Sequence, residues 1–147
     1  MTAESFSEQR VRESFARQAF MRLLGAGLTY IAPGEVHVEL PFREDLLQQH
    51  GFLHAGVTTA IADSACGYAA LSLMPANVAV LSVEYKVNLL APAKGTRFLA
   101  RGRVLKSGRT VTVCRGEVLA FDEGGDARPV LEMLGTMMTA RDRGIVD

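Results

Sequence analysis

The run Gly56-Val57-Thr58-Thr59-Ala60-Ile61-Ala62-Asp63-Ser64-Ala65-Cys66-Gly67-Tyr68-Ala69-Ala70-Leu71-Ser72-Leu73-Met74 decides the fold. It is the longest apolar stretch of the chain, opens behind His54-Ala55 and stops before Pro75, which cannot continue a helix. Gly56, Ala60, Asp63, Gly67, Ala70 and Met74 advance by threes and fours, so on a helix they share one face. That face is a stripe of small residues broken by one acid, a surface around which a sheet can wrap closely. Asp63 and the many Ala, Gly, Ser and Thr residues favour a buried helix of a soluble protein over a membrane span.

Downstream, everything after Pro75 reads as strands. Val78–Leu90 alternates, with Val83, Tyr85, Val87 and Leu89 expected on one face and Ser82, Glu84, Lys86 and Asn88 on the other. Thr96–Lys106 and Thr110–Phe121 are joined by Ser107-Gly108-Arg109, a hairpin signal, and Val130–Arg141 is the last strand. Upstream, Ser5-x-x-Glu8 has the form of a capping box ahead of an amphipathic helix of about four turns, which Gly25 and Gly27 can end. Two short strands follow, Leu28–Ile31 and Val36–Leu40, around a Pro33-Gly34 turn. His37 alternates out of the second and is expected to be solvated. Strands segregated from helices indicate an α+β fold with an antiparallel sheet, and a helix too apolar for a surface requires that sheet to curl around it.

The 147 residues fit one domain, expected to span 1–147 with an N-terminal helix over 1–27 and a core over 28–141. Sixteen basic and sixteen acidic residues cancel, which offers no electrostatic case for nucleic acid or an anionic membrane and little repulsion against self-association. Cys66 and Cys114 sit far apart in apolar runs and read as buried, reduced thiols. Met1–Arg10 carries charges and no apolar core of a signal peptide, so the expected location is cytoplasmic, with no membrane partner.

Gln48-x-x-Gly51-x-x-His54-Ala55-Gly56-Val57, then Asp63-Ser64-Ala65-Cys66-Gly67-Tyr68-Ala69, resembles the signature of the PaaI-type hotdog-fold thioesterases. Ser82, Ala91-Pro92-Ala93-Lys94-Gly95 and Val104-Leu105-Lys106-Ser107-Gly108-Arg109 continue the match, which covers roughly residues 35–140. The resemblance implies a hotdog fold, a long central helix wrapped by a curved antiparallel sheet of five to six strands. It implies hydrolysis of acyl-CoA thioesters, with coenzyme A as part of the substrate and no other cofactor. By the same resemblance Asp63 is the catalytic carboxylate, as base or nucleophile, and the segment after His54 is the oxyanion site. Gln48 would orient the carbonyl or the water, and Ser82 would help hold the water. The family usually reads His-Gly-Gly where this chain has His54-Ala55-Gly56, which leaves the oxyanion donor open between Ala55 and Gly56.

Elementary chemistry supports these roles. A thioester carbonyl needs donors where negative charge develops, and a helix N-terminus supplies free N–H groups at the positive end of a dipole. Asp63 follows Gly56 by seven residues, on the same face but about 10 Å along the axis. The two cannot reach one thioester from one chain. Helices paired antiparallel across a two-fold axis would bring them together, so a homo-oligomer, a dimer or a dimer of dimers, is expected. An Asp within an apolar helix is seldom tolerated without a reason, which for Asp63 is either chemistry or a structural hydrogen bond. His54 can equally serve by bonding backbone, and Ser82 by filling a polar strand face. His50 and His54 are four apart, but Gly51 interrupts the helix and a third ligand is missing, so no metal is expected.

Arg97, Arg101, Arg103, Lys106, Arg109 and Arg115 cluster around the hairpin. They read either as a solvated strand face laced with Glu117 or as a site for CoA phosphates, the latter best at Lys106, Gly108 and Arg109. Without interleaved aromatics they do not suggest a nucleic-acid groove. Two other functions fit the same fold: a hydratase or dehydratase, which needs a His placed with an acid, and a non-catalytic acyl-CoA-binding protein.

Overall fold

The computed structural model describes residues 6–147. The elements in order are α1 (Glu8–Arg17), α2 (Ala19–Leu24), β1 (Gly27–Ala32), β2 (Glu35–Pro41), a 3-10 turn at Glu44–Leu46, α3 (Ala55–Leu71), β3 (Ala79–Leu89), β4 (Arg97–Ser107), β5 (Val111–Phe121) and β6 (Ala127–Ala140). The strands form one six-stranded antiparallel sheet, ordered β1-β2-β4-β5-β6-β3. The sheet curves around α3, which packs against β2, β3, β4, β5 and β6. This is the hotdog arrangement expected above.

Two glycines explain how closely the sheet can approach. Gly102 and Gly116 are cross-strand partners on β4 and β5. A Cβ on Gly102 would lie 2.3 Å from the backbone carbon of Ala65, and one on Gly116 would lie 2.9 Å from Cys66 Sγ. The helix therefore rests almost directly on the sheet backbone, and Ala62, Ala65, Cys66 and Ala69 there are fully buried. This corrects the expectation for the stripe of small residues. Most of that stripe, Gly56, Ala60, Asp63 and Gly67, is turned away from the sheet and remains partly open, while Ala70 and Met74 are buried. A Cβ on Gly67 would meet nothing within 4 Å.

The expected alternation along β3 is also corrected. Ser82 pairs with Met137 and Glu84 with Thr136, which leaves Val83 as an unpaired bulge residue. An extra residue reverses the side-chain alternation. Ser82 thereby joins the face of Tyr85, Val87 and Leu89, toward α3, instead of that of Glu84, Lys86 and Asn88.

The N-terminal helix is two helices. Gln18 interrupts it with an extended backbone (ψ 100°) and caps both pieces. The break lets α1 bury Val11 and Phe15 while α2 independently buries Met21 and Leu24. The N-cap of α1 is Ser7, whose hydroxyl accepts from the N–H of Arg10 at 3.1 Å; Ser5 lies outside the described residues. Gly25 ends α2 in the left-handed conformation, and Gly27 already opens β1.

His37 is not solvated. Its ring lies 4.7 Å from that of its cross-strand partner Tyr30, and Nε2 is 2.7 Å from Glu35 Oε1. Cys66 and Cys114 are free and buried, and burial pushes both thiols up, Cys114 to about 12. Among the described residues no helix is long and apolar enough to cross a membrane.

Candidate active site

Residues 47–53 form a tight turn that delivers the chain to α3. Leu47 and Leu53 pair, Gly51 takes φ +83°, and the N–H of Gln48 reaches Phe52 O at 2.8 Å. The Gln48 side-chain oxygen accepts from the N–H groups of His50 and Phe52. Its amide group is thereby oriented, and among the described residues its NH₂ has no partner.

His54 is the N-cap of α3. Its Nδ1 accepts from the N–H of Gly56 at 2.8 Å, and its carbonyl takes the N–H of Val57 at 2.9 Å. Gly56 leaves room for this cap, since a Cβ there would sit 3.0 Å from Nδ1, closer than an ordinary contact. The cap also distinguishes the two candidate donors. The N–H of Gly56 is occupied by the imidazole, whereas that of Ala55 has no acceptor among the described residues. Ala55 and Gly56 both lie within the helix without positive φ, so alanine fits at its position. Ala55 and Gln48 line one cavity of about 390 Å³, walled by Phe52, Leu89, Leu90 and Val130.

Asp63 lies elsewhere. The Ser82 hydroxyl donates to Asp63 Oδ1 at 2.6 Å, a contact that the β3 bulge makes possible. Burial raises the Asp63 pKa above its ordinary 3.8, opposed by the Ser82 hydrogen bond, which favours the ionised form. The pair opens into a cavity of about 110 Å³ shared with Gln18, Ser64, Tyr68 and Asp147. Around it runs a polar network. Gln18 Nε2 donates to Tyr68 Oη at 3.0 Å, and its side-chain oxygen accepts from Ser64 Oγ at 3.3 Å. Ser14 Oγ donates to Asp147 Oδ1 at 2.8 Å. Asp147 Oδ2 also accepts from the N–H of Val80, at 2.9 Å. The guanidinium of Arg10 donates to the carbonyls of Asp147, Met74 and Val78, tying α1 and the last residue to the start of β3.

The structure thus groups Gln48, His54, Ala55 and Gly56 at the start of α3, and Asp63 with Ser82 two turns later. It does not unite the two groups within one chain. Ala55 and Asp63 are eight residues apart, about 12 Å along the axis.

The basic cluster divides. Arg97 pairs with Glu39, Arg101 with Glu117, Arg103 with Glu35 and Arg115 with Glu132. Those four are a salt-bridged strand face. Lys106 and Arg109 are exposed beside the β4–β5 turn and form no ion pair among the described residues. Gly108 is required in that turn, since a Cβ would come 2.6 Å from Val111 O.

Sequence reasoning missed Gln18 and Asp147 as neighbours of Asp63. The polar Gln18 continuing the Val11 and Phe15 face was the available signal for the first; nothing in the sequence marks the second.

The family model described as "Thioesterase superfamily" matches residues 50–126, more than half of the chain. A solved structure of a thioesterase family protein from Silicibacter pomeroyi is 50% identical, covers 90% of this chain and 97% of its own, and superposes with a TM-score of 0.89. Two more distant structures share the fold. The PaaI protein of the Escherichia coli phenylacetic acid degradation operon has a TM-score of 0.80 at 20% identity, covering 95% of each chain. A thioesterase from Haemophilus influenzae has a TM-score of 0.79 at 17% identity, covering 94% of this chain and 93% of its own. With the family model matching more than half its length, the chain belongs to the thioesterase superfamily.

Proposed function

We propose that the protein hydrolyses acyl-CoA thioesters to a free acid and coenzyme A, in sites shared between two copies of the chain. The observation that carries this reading is the division of the site. One end of α3 offers an unused N–H at Ala55 beside the Gln48 amide; the other offers a half-buried carboxylate held by Ser82. Antiparallel pairing of two α3 helices along their open faces would set Asp63 of the partner subunit opposite Ala55. β3 suits such pairing: it is an edge strand with Val83, Tyr85 and Leu89 exposed, and Asp147 covers its free edge only at Val78 and Val80.

In the proposed reaction the thioester oxygen accepts from the N–H of Ala55 at the positive end of the helix. Asp63 of the partner subunit takes a proton from a water held by Ser82, and the water oxygen attacks the carbonyl carbon. The C–S bond then breaks, and the proton passes to the departing sulfur. Gln48 donates its NH₂ to the carbonyl. Lys106 and Arg109, the cations of the hairpin without ion pairs, are the proposed contacts for CoA phosphates. A hydratase would need a His beside the acid; Asp63 instead bonds a serine.

Thiol release from acyl-CoAs of increasing length tests the activity, and turnover of none would refute it. Ala55→Pro tests the donor, because proline is tolerated at the first helical position and removes only the N–H. A loss of roughly 10²–10³-fold in kcat is expected, the usual cost of one oxyanion donor. Mixing inactive Ala55→Pro and Asp63→Asn chains tests the shared site. Mixed dimers regain one intact site; no recovery in demonstrably mixed dimers would place both groups in one chain.

A further inference from the structure

Two spaces meet at Asp63. One, of about 440 Å³, runs toward the start of α3, past Ala60, Thr59 and Gly56. The other is the cavity of about 110 Å³ that lies toward its end, bounded by Gly67, Tyr68, Val80, Ser82 and Asp147. Gln18 and Ser64 line both spaces and so stand between them. In the pairing proposed above, the partner subunit and the thioester would close over the first space and leave the second beside the carboxylate.

The walls of the smaller cavity specify what fills it. Their hydroxyl donors are already committed. Ser64 donates to Gln18 and Ser82 to Asp63. Gln18 Nε2 donates to Tyr68 Oη, the Tyr68 hydroxyl donates to Ser14 Oγ at 3.2 Å, and Ser14 donates to Asp147. One N–H of Gln18 is left over as a donor. The acceptors left over are more numerous: Asp63 Oδ2, which has no partner among the described residues, and spare lone pairs on Asp147, Ser64 and Ser82. Such a space is complementary to water, which brings donors, and its volume admits several molecules. Two carboxylates face it. Asp63 is half-buried, whereas the Asp147 side chain is 23% exposed and reaches solvent. Ser14 Oγ and the N–H of Val80 fix that side chain, with the Arg17 guanidinium 3.8 Å away. Tyr68 is the third titratable group on the cavity. Cys66, on the sheet side of the same helix, is held neutral by its burial.

Resting on the proposed thioesterase reading, we propose that water in this cavity carries one proton of each turnover from Asp63 to Asp147, which releases it to solvent. Gln18 is the residue that positions this water. Hydrolysis at neutral pH converts a thioester and a water into a carboxylate, a thiol and one proton. The first proton of the attacking water ends on the departing sulfur. The second belongs to the new carboxylic acid. Asp63 accepts it and donates it to a cavity water, which passes one of its own protons to Asp147. Asp63 is left ionised for the next turnover, and only O–H bonds are made or broken along the way. The break between α1 and α2 serves this relay, because it lets the Gln18 side chain reach Tyr68 and Ser64.

The test compares kcat, KM and the solvent deuterium isotope effect on kcat in the parent, Asp147→Asn, Asp147→Ala and Gln18→Leu. The backbone of Asp147 stays tethered in every variant, through its N–H on Val78 O and Arg10 on its carbonyl, and thermal unfolding checks each fold. All three variants are expected to lower kcat about tenfold, less than the roughly 10²–10⁴-fold of a group acting in the transition state, with KM within about twofold and a larger isotope effect. Added formate should raise kcat of Asp147→Ala several-fold and leave the parent unchanged, a rescue that a merely structural Asp147 would not show. No loss, a loss that formate leaves in place, or an isotope effect no larger than the parent's would overturn the relay. A ¹³C titration of the Asp63 carboxyl, assigned by its absence in Asp63→Asn, separates this proposal from the hydrolytic one. Removing the charge of Asp147 across the shared water should lower the Asp63 midpoint. If the parent hydrolyses no thioester but the midpoint falls in Asp147→Asn, the link between the carboxylates stands and hydrolysis fails. If the parent hydrolyses thioesters and the Asp147 variants keep its kcat, hydrolysis stands and the relay fails. Neither turnover nor a shifted midpoint refutes both.

Discussion

The two faces of α3 carry equally small side chains and have opposite fates. Ala62, Ala65, Cys66 and Ala69 are pressed against β4 and β5 with no exposed surface. Gly56, Thr59, Ala60, Asp63 and Gly67 look outward over open hollows. The difference lies in the opposing surface. Gly102 and Gly116 remove the side chains that would keep the sheet at its usual distance, so the first face is used up in folding. The second has no such counterpart within the chain. It holds the one carboxylate of the helix, half-buried and raised in pKa, and so keeps a titratable group beside open hollows.

The largest expected effect is at the open face. Asp63→Asn should reduce kcat about 10²–10⁴-fold, as for loss of a general base. It should also stabilise the fold at neutral pH. The folded pKa of Asp63 is raised, so the protonated acid is the favoured buried form. Its contribution to stability is complete below the ordinary value of 3.8 and is lost as pH rises through the folded pKa. Urea unfolding at neutral and acid pH should therefore show a gain for Asp63→Asn that disappears in acid. A variant less stable than its parent at neutral pH would show the carboxylate to be structurally required.

Next comes the closed face. Gly102→Ala places a methyl group against the backbone of Ala65 and should cost about 3 kcal/mol, the upper part of the range for overpacking. Gly67→Ala, the same change on the open face, should stabilise the protomer by about 0.5–1 kcal/mol, the gain of Ala over Gly inside a helix where the added methyl meets nothing. Equal urea midpoints for the two variants would abolish the distinction between the faces.

A smaller change is expected from Ser82→Ala. Its hydroxyl holds the Asp63 pKa down, so the acid limb of the kcat/KM profile should move to higher pH without it. An unmoved limb would detach Ser82 from the reacting carboxylate. Smallest is His54→Ala, which removes the cap on Gly56 and should cost about 1 kcal/mol in urea unfolding.

Much of this was legible in residue order. The period of the Gly56–Met74 run, its stop at Pro75 and the strands on either side were enough to specify a buried helix wrapped by an antiparallel sheet. Gln48, His54, Ala55, Asp63 and Ser82 were readable as a set through the family resemblance; the short turn and the helix fix the spacing of the first four, whereas Ser82 lies on β3. Other features were beyond local patterning. A bulge at Val83 has no signature in an alternating strand, yet it turns Ser82 toward Asp63. The break at Gln18 contains no proline or glycine; it forms where the side chain finds Tyr68 and Ser64, both far away in sequence.

Sequence alone determined which residues are small, which are charged and at what intervals, and hence the helix, the strands and the inventory of chemical groups. Tertiary structure decided which small face met the sheet, because only the facing of Gly102 on Gly116 could admit a helix backbone. It decided that His54 occupies the N–H of Gly56 and leaves that of Ala55 unused. It also decided which cations near the hairpin are paired, because ion pairs between strands depend on register, and register is set by the whole sheet.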